Sequence, residues 1–249
     1  MVMDKGFWGT YFGEARLAPF LQLADGNVKL ALSFYLWNVQ VGAAYFELLG
    51  ISEVALRNVI YRGVDRYCLS RDVGKWLLAE PAMLPLPLQK LMKGPLLEAQ
   101  SKAKEAKNRR DQNPAHPRKG FPLQEGDVLA QVTFGAWHNL FPSEWGESKD
   151  PVTNNYRTIL WESALNCVFQ PGADPDRLRW LLYRLTYFRN RIAHHEYLLG
   201  PSAHVTATHP LRQRLNDIFE LLEIVDPEFK EWATGFNRVS QLLKHPPVR

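Results

Sequence analysis

The segment between Asp174 and Ile192 constrains the fold of this chain more than any other. Leu181, Leu185, Phe188 and Ile192 follow one another at i, i+4, i+7 and i+11, a spacing that places them on one face of an α-helix. Asp174 precedes them as the predicted N-cap. The segment therefore predicts a helix that packs against a hydrophobic core.

Helical periodicity recurs along most of the chain, and no stretch alternates apolar and polar residues as a strand would. The predicted helices cover residues 28–49, 52–67, 98–110, 154–169, 210–225 and 227–243. The first carries an apolar face marked by Leu32, Leu36, Val39 and Phe46. It is predicted to end near Gly50, and Ser52 is the predicted N-cap of the second.

A chain of 249 residues with 46% hydrophobic residues can bury a sizeable core. Together with the helical pattern, this predicts an all-α fold, organised as a single bundle-like domain over residues 1–249. No run approaches the roughly 18 apolar residues of a membrane span, and the first residues show no leader pattern. We therefore expect a cytoplasmic protein with no membrane contact.

Positive charge is concentrated in one segment, although the net charge of the chain is only +4. Residues 98–120 contain seven cations against three acidic residues: Lys102, Lys104, Lys107, Arg109, Arg110, Arg118 and Lys119 against Glu98, Glu105 and Asp111. An exposed basic helix and loop at about 98–122 would suit contact with nucleic-acid phosphates. A solvated helix end explains the same charges equally well.

The sequence "RNRIAHHE", residues 189–196, concentrates polar groups with catalytic potential at the end of the helix that follows Asp174. One interpretation is purely structural, because cations in a last turn stabilise the negative end of a helix, and Gly200 and Pro201 follow. A catalytic interpretation must account for the helix geometry, because Arg189 and His194 lie about 140° apart on a straight helix. They can act together only if the helix end unwinds, if the arginine curls across it, or if a second copy completes the site.

The motif resembles the R-x4–6-H signature of the HEPN superfamily through Arg189, Asn190 and His194. Three further stretches resemble the Abi-like group of abortive-infection proteins: "ALSFYLWN" (31–38), "SEVALRN" (52–58) and "VTFGAWHNLF" (132–141). The resemblance implies a HEPN-like helical bundle that forms a homodimer and cleaves RNA without a metal ion, as a toxin in phage defence. A free ribonuclease would harm its own cell, so we also expect restraint by a cognate antitoxin, by AMP or another modification at the site, or by a latent conformation. A nucleotidyltransferase is the other partner expected.

Each residue of the motif has chemistry that suits this reaction. His194 would act as general base or acid, and His195 is an equally possible choice, since the signature allows both spacings. Arg189 would stabilise the negative charge of the transition state, and Asn190 would orient the histidine or bind a phosphate oxygen. The residues expected to contact RNA are Arg57, Asn58, Arg191, Lys107, Arg109 and Arg110. No spacing of cysteine or histidine predicts a metal site, and no cofactor is expected.

Two other functions fit the sequence. The first is a non-catalytic HEPN module that binds nucleotides or RNA, or scaffolds a partner protein. The second is a helical adaptor that binds a partner through the basic segment, which leaves "RNRIAHH" without a role.

Overall fold

The computed structural model describes residues 5–144, 150–200 and 208–247. These residues contain no β-strand, which confirms the all-α fold class. The helices are α1 (Lys5–Phe12), α2 (Glu14–Leu23), α3 (Val28–Leu69), α4 (Leu86–Gln112), α5 (Glu125–Leu129), α6 (Phe134–Trp137), α7 (Pro151–Leu160), α8 (Pro175–Ala193), α9 (His209–Val225), α10 (Pro227–Gly235) and α11 (Val239–Leu242). A π-helical turn, Trp161–Leu165, continues α7. Pro201 lies outside the described residues.

The two helices predicted over 28–49 and 52–67 are one helix, α3. Ser52 is fully buried and its hydroxyl donates to the Leu48 carbonyl at 2.8 Å, so it is not an N-cap. Gly50 lies inside the helix and does not end it. A glycine costs a helix only about 1 kcal/mol, which the packing of a 42-residue helix overcomes.

The predicted apolar face of α3 does not face the core. Its residues are largely exposed, at 59% for Leu36, 43% for Val39 and 46% for Phe46, whereas Leu32 is half-buried. The buried side lies opposite and carries Val41, Tyr45 and Leu48. The spacing identified an apolar face but not the buried one, because α3 is apolar on both sides and helical periodicity alone fits either side.

By length and composition, α3 also meets the criteria for a membrane span, which we did not expect from the sequence. Its most apolar window has a mean hydropathy of 1.3, and 44% of that window is buried within the protein. The core helix of a soluble protein passes the same test, so this finding is weak evidence for a membrane.

The helix that follows Asp174 was predicted closely. Its four core positions, Leu181, Leu185, Phe188 and Ile192, are all buried in α8. The Asp174 carboxylate accepts a hydrogen bond from the backbone N–H of Asp176 at 2.9 Å, as an N-cap does. By contrast, the helix predicted over 227–243 is divided into α10 and α11.

The chain packs into two compact units. The first comprises Met1–Ser52, Arg184–Glu223 and Pro227–Arg249. Its core includes Tyr45, whose ring meets Phe188 edge to face at 4.9 Å and whose hydroxyl donates to the Leu211 carbonyl. This unit contains the whole of "RNRIAHHE".

The second unit comprises Glu53–Tyr183 and Ile224–Asp226. Within it, Phe134 and Trp137 of the "VTFGAWHNLF" stretch are buried, as their helical spacing predicts. Two buried arginines bind the backbone carbonyls directly after Trp137: Arg157 donates to the Asn139 carbonyl at 2.9 Å, and Arg179 donates to the His138 carbonyl at 2.7 Å. These bonds give the carbonyls at the end of the short helices a side-chain donor; the His138 carbonyl also accepts a longer bond, 3.4 Å, from the Phe141 N–H.

Candidate active site

The "RNRIAHHE" segment forms the C-terminal end of α8 and a tight turn. The His194 N–H still donates to the Asn190 carbonyl at 3.0 Å, as in a regular helix. The next two N–H groups reverse the chain: His195 donates to Ile192 and Glu196 donates to Arg191, both at 2.9 Å. This is the bond pattern of a Schellman motif, with His195 at the left-handed position, φ 54°. We call residues 194–196 the histidine turn.

Two side chains from distant parts of the sequence hold the histidine turn. Arg16 of α2 donates through Nη1 to the His195 carbonyl at 2.8 Å. The Asn38 amide of α3 donates to the Glu196 carbonyl at 3.1 Å and accepts from the Leu198 N–H at 2.9 Å. Asn38 is 5% exposed, so its two bonds satisfy backbone groups in the interior.

Arg191 holds the turn from within α8. Its Nε donates to the Glu196 carboxylate at 3.0 Å, and its Nη2 donates to the Tyr197 carbonyl. Tyr197 donates its hydroxyl to Gly200, and burial raises the pKa of this tyrosine. Arg191, expected to contact RNA, therefore has two of its donor groups engaged in fixing the turn.

A groove of about 450 Å³ lies between α3 and the end of α8 in the first unit. Its lining includes Val39, Phe46, Ile192 and Leu198, which are apolar, and His195 and Glu196, which are polar. Gly42 also lines the groove, and a side chain there would meet Leu198 and Ile192 at 3.5 and 3.6 Å. The groove is thus apolar along its walls and polar at the histidine turn.

Arg189 lies near Phe46, one of the residues that line this groove. Its guanidinium carbon is 5.7 Å from the ring centroid of Phe46. Arg189 also shares a side of α8 with Ala193, four residues on, which lines the groove. No carboxylate among the described residues pairs with Arg189, so its charge is available to a ligand.

The structure thus places His195 in the groove lining and Arg189 beside Phe46, another lining residue. His194 and Asn190 lie on the outward face of α8 with Tyr187, because these positions follow at i, i+3 and i+7. All three are exposed. The sequence left three ways to bring Arg189 and a histidine together: unwinding of the helix end, a curled arginine, or a second copy. The helix end does unwind, but at His195 and not at His194.

The other residues expected to bind RNA belong to the second unit. Asn58 donates its amide to the Val54 carbonyl at 2.8 Å, and the half-buried Arg57 has a buried Nε with no hydrogen bond to a described residue. Arg110 is only 8% exposed and donates to the Phe121 carbonyl at 2.7 Å. Lys107 is paired with Asp111.

Only part of the predicted basic surface is therefore free to bind phosphates. Arg118 is also paired, with Asp127 at 2.9 Å, and Lys102 is paired with Glu98. Three exposed cations of the segment have no ion pair within the described residues: Lys104, Arg109 and Lys119. Of the cations expected to contact RNA here, Arg109 alone belongs to this group.

Arg16 and Asn38 are the site residues that the sequence did not reveal. Asn38 closes the stretch "ALSFYLWN", and a polar residue among core residues of α3 was a usable signal. Arg16 gave none, because it is separated from His195 by 179 positions and lies in a helix that we did not predict.

Within the described residues, no group of three or more histidine, cysteine, aspartate or glutamate side chains could hold a metal ion. Comparison with protein-family models, curated proteins and solved structures finds no match for this chain. The chemistry of the groove is therefore the basis for assigning a function.

Proposed function

We propose that this protein is a metal-independent endoribonuclease of the HEPN type, an Abi-like toxin that acts in phage defence. One observation carries the proposal: the exposed His195 and the Phe46 ring line one groove, and the guanidinium of Arg189, which has no ion pair among the described residues, lies 5.7 Å from that ring. A cation for phosphate beside a group that exchanges protons near neutral pH is what cleavage through the ribose 2′-OH requires.

The reaction assigns one role to each residue. His195 takes the proton of a ribose 2′-OH, whose oxygen attacks the adjacent phosphorus. The bond to the 5′-oxygen breaks, and this oxygen takes a proton from water, which leaves a 2′,3′-cyclic phosphate and a 5′-OH. Arg189 binds the phosphate oxygens, and its planar fork of donors stabilises the extra negative charge of the transition state.

The active form that we propose is a homodimer. Tyr187, Asn190 and His194 form an outward strip on α8, and Tyr187 is 62% exposed. Packing of this strip against a second copy would bury the tyrosine and give His194 a place at the combined site. A free ribonuclease would damage cellular RNA, so we also propose a cytoplasmic setting with restraint by an antitoxin or a nucleotidyltransferase.

Cleavage of total RNA in EDTA tests the proposal. Wild-type protein should release 2′,3′-cyclic phosphate ends. Arg189→Ala and His195→Ala should each lower the rate by at least about 100-fold, the usual contribution of a positioned base or charge. His209→Ala, an exposed histidine at the start of α9, is the matched control and should cut normally.

Two outcomes would redirect the assignment. If His194→Ala loses activity and His195→Ala keeps it, the outward strip carries the proton transfer. If the wild type binds RNA without cutting it, the protein is the non-catalytic module.

A further inference from the structure

The walls of the groove have no role in the cleavage chemistry. The cleavage chemistry needs a cation and a proton acceptor. Much of the groove lining is nevertheless apolar, including Val39, Ala43 and Leu198. Phe46 adds a ring that is 46% exposed. At about 450 Å³ the groove falls within the roughly 300–1,000 Å³ of sites for small ligands. An exposed ring in such a groove suits a flat apolar group that stacks on it.

Glu196 defines the other end of the groove. Its Oε2 accepts from Arg191 at 3.0 Å, which holds the carboxylate in place while leaving its other lone pairs open. An ionised carboxylate accepts hydrogen bonds only, and it repels phosphate. It therefore selects a ligand edge that presents N–H donors.

We propose that the groove binds an unpaired guanine base next to the phosphate held by Arg189. The base would stack on Phe46 and present N1–H and its amino group to Glu196. Guanine carries these two donors side by side, whereas adenine, cytosine and uracil do not. The inference rests on the proposed ribonuclease function, since it names the substrate base for that same site.

The arrangement of charge favours a nucleotide over a second protein chain as the occupant. Arg189 supplies a cation near Phe46, and Glu196 supplies an anion at the histidine turn. A nucleotide has the complementary order, an anionic phosphate and a base edge rich in donors. A packed protein surface would bury the Glu196 charge, at a cost in desolvation.

Calorimetric titration of the full chain with guanosine, adenosine, cytidine and uridine 3′-monophosphates tests the inference. We expect the guanosine nucleotide to bind about tenfold more tightly than the others, as for a good bidentate base contact. Glu196→Gln should abolish this preference, and Phe46→Ala should weaken all four nucleotides by about tenfold.

Two matched variants control for indirect effects. Glu47→Gln removes another exposed carboxylate that is paired with an arginine, Arg238. Leu36→Ala truncates another exposed apolar residue of α3, one that does not line the groove. Both should leave binding and base preference unchanged.

Equal binding of the four nucleotides, or a preference that survives Glu196→Gln, would overturn the inference. So would a Phe46→Ala protein that binds normally but changes its oligomeric state, since the groove would then be a protein interface. Guanosine nucleotide binding by a protein that never cuts RNA would refute the ribonuclease and retain the subsite. Cleavage without preference for guanosine at the cut site would retain the ribonuclease and refute the guanine subsite.

Discussion

His195 occupies a backbone conformation that is unfavourable for it. A φ of 54° is in the left-handed region, which costs an L-residue roughly 1–2 kcal/mol and which glycine usually occupies at helix ends. Because His195 also lines the groove, the strained position makes its side chain a candidate for function, which can be tested against stability.

Replacing His195 by glycine separates its effect on stability from its effect on cleavage. His195→Gly should increase the free energy of unfolding by up to about 1 kcal/mol and abolish RNA cleavage, because it relieves the strain and removes the imidazole. His194→Gly is the control: at a position that still follows the helix, glycine should destabilise by about 0.5–1 kcal/mol. Urea unfolding and the cleavage assay measure both effects. Equal destabilisation by the two changes would contradict the argument.

The sequence predicted this candidate site but left the choice between its two histidines open. The order R-N-R-I-A-H-H is visible in the chain, as is the end of the helix near Gly200. The choice depends on which histidine takes the left-handed position, and Arg16 and Asn38 fix that position through contacts across more than 150 residues. Local patterns carry no information about such contacts.

At the level of helices, the end of α8 is held in place by α3. Asn38→Ala would leave the Glu196 carbonyl and the N–H of buried Leu198 without their partner. An unsatisfied buried group costs about 1–3 kcal/mol, so we expect the unfolding free energy to fall by about that amount, chiefly through Leu198 because Glu196 is exposed, and kcat to fall with it. Asn58→Ala, on the same helix, breaks a single local bond and should cost less than about 1 kcal/mol. Similar losses in both variants would show that Asn38 has no special role.

The basic segment of α4 and its following loop yields the next prediction. Lys104, Arg109 and Lys119 are exposed and unpaired among the described residues, so their joint change to alanine should reduce the salt dependence of RNA binding. Each phosphate contact contributes about 0.7 to the slope with single strands, which gives a decrease of about 2 for three cations. Lys102→Ala with Lys107→Ala removes paired cations and should change the slope less. An unchanged slope in the triple variant would exclude this surface from RNA binding.

At the scale of the whole chain, composition and periodicity were sufficient for the fold class and for the core helix α8. They were not sufficient for the buried side of α3, since Leu36 and Phe46 are as apolar as Tyr45 and Leu48. Periodicity reports that a face is apolar, whereas burial depends on which neighbours cover it. Several apolar residues left exposed on one face of a helix, such as Leu36, Val39 and Phe46, favour a ligand or a partner there.

The outward strip of α8 is the surface at which we expect a second copy of the chain to bind. Tyr187→Glu places a charge in the proposed interface and should raise the dimer dissociation constant at least about 30-fold, the effect of losing an aromatic anchor worth about 2 kcal/mol. If the dimer is the active form, as we propose, cleavage should fall in parallel and recover at high protein concentration. Tyr11→Glu is the matched control, since Tyr11 is 71% exposed on α1 and lies outside the strip. Sedimentation velocity with a parallel activity titration distinguishes the outcomes: a wild-type monomer that cuts RNA at full rate would show that one copy of the groove is a complete active site.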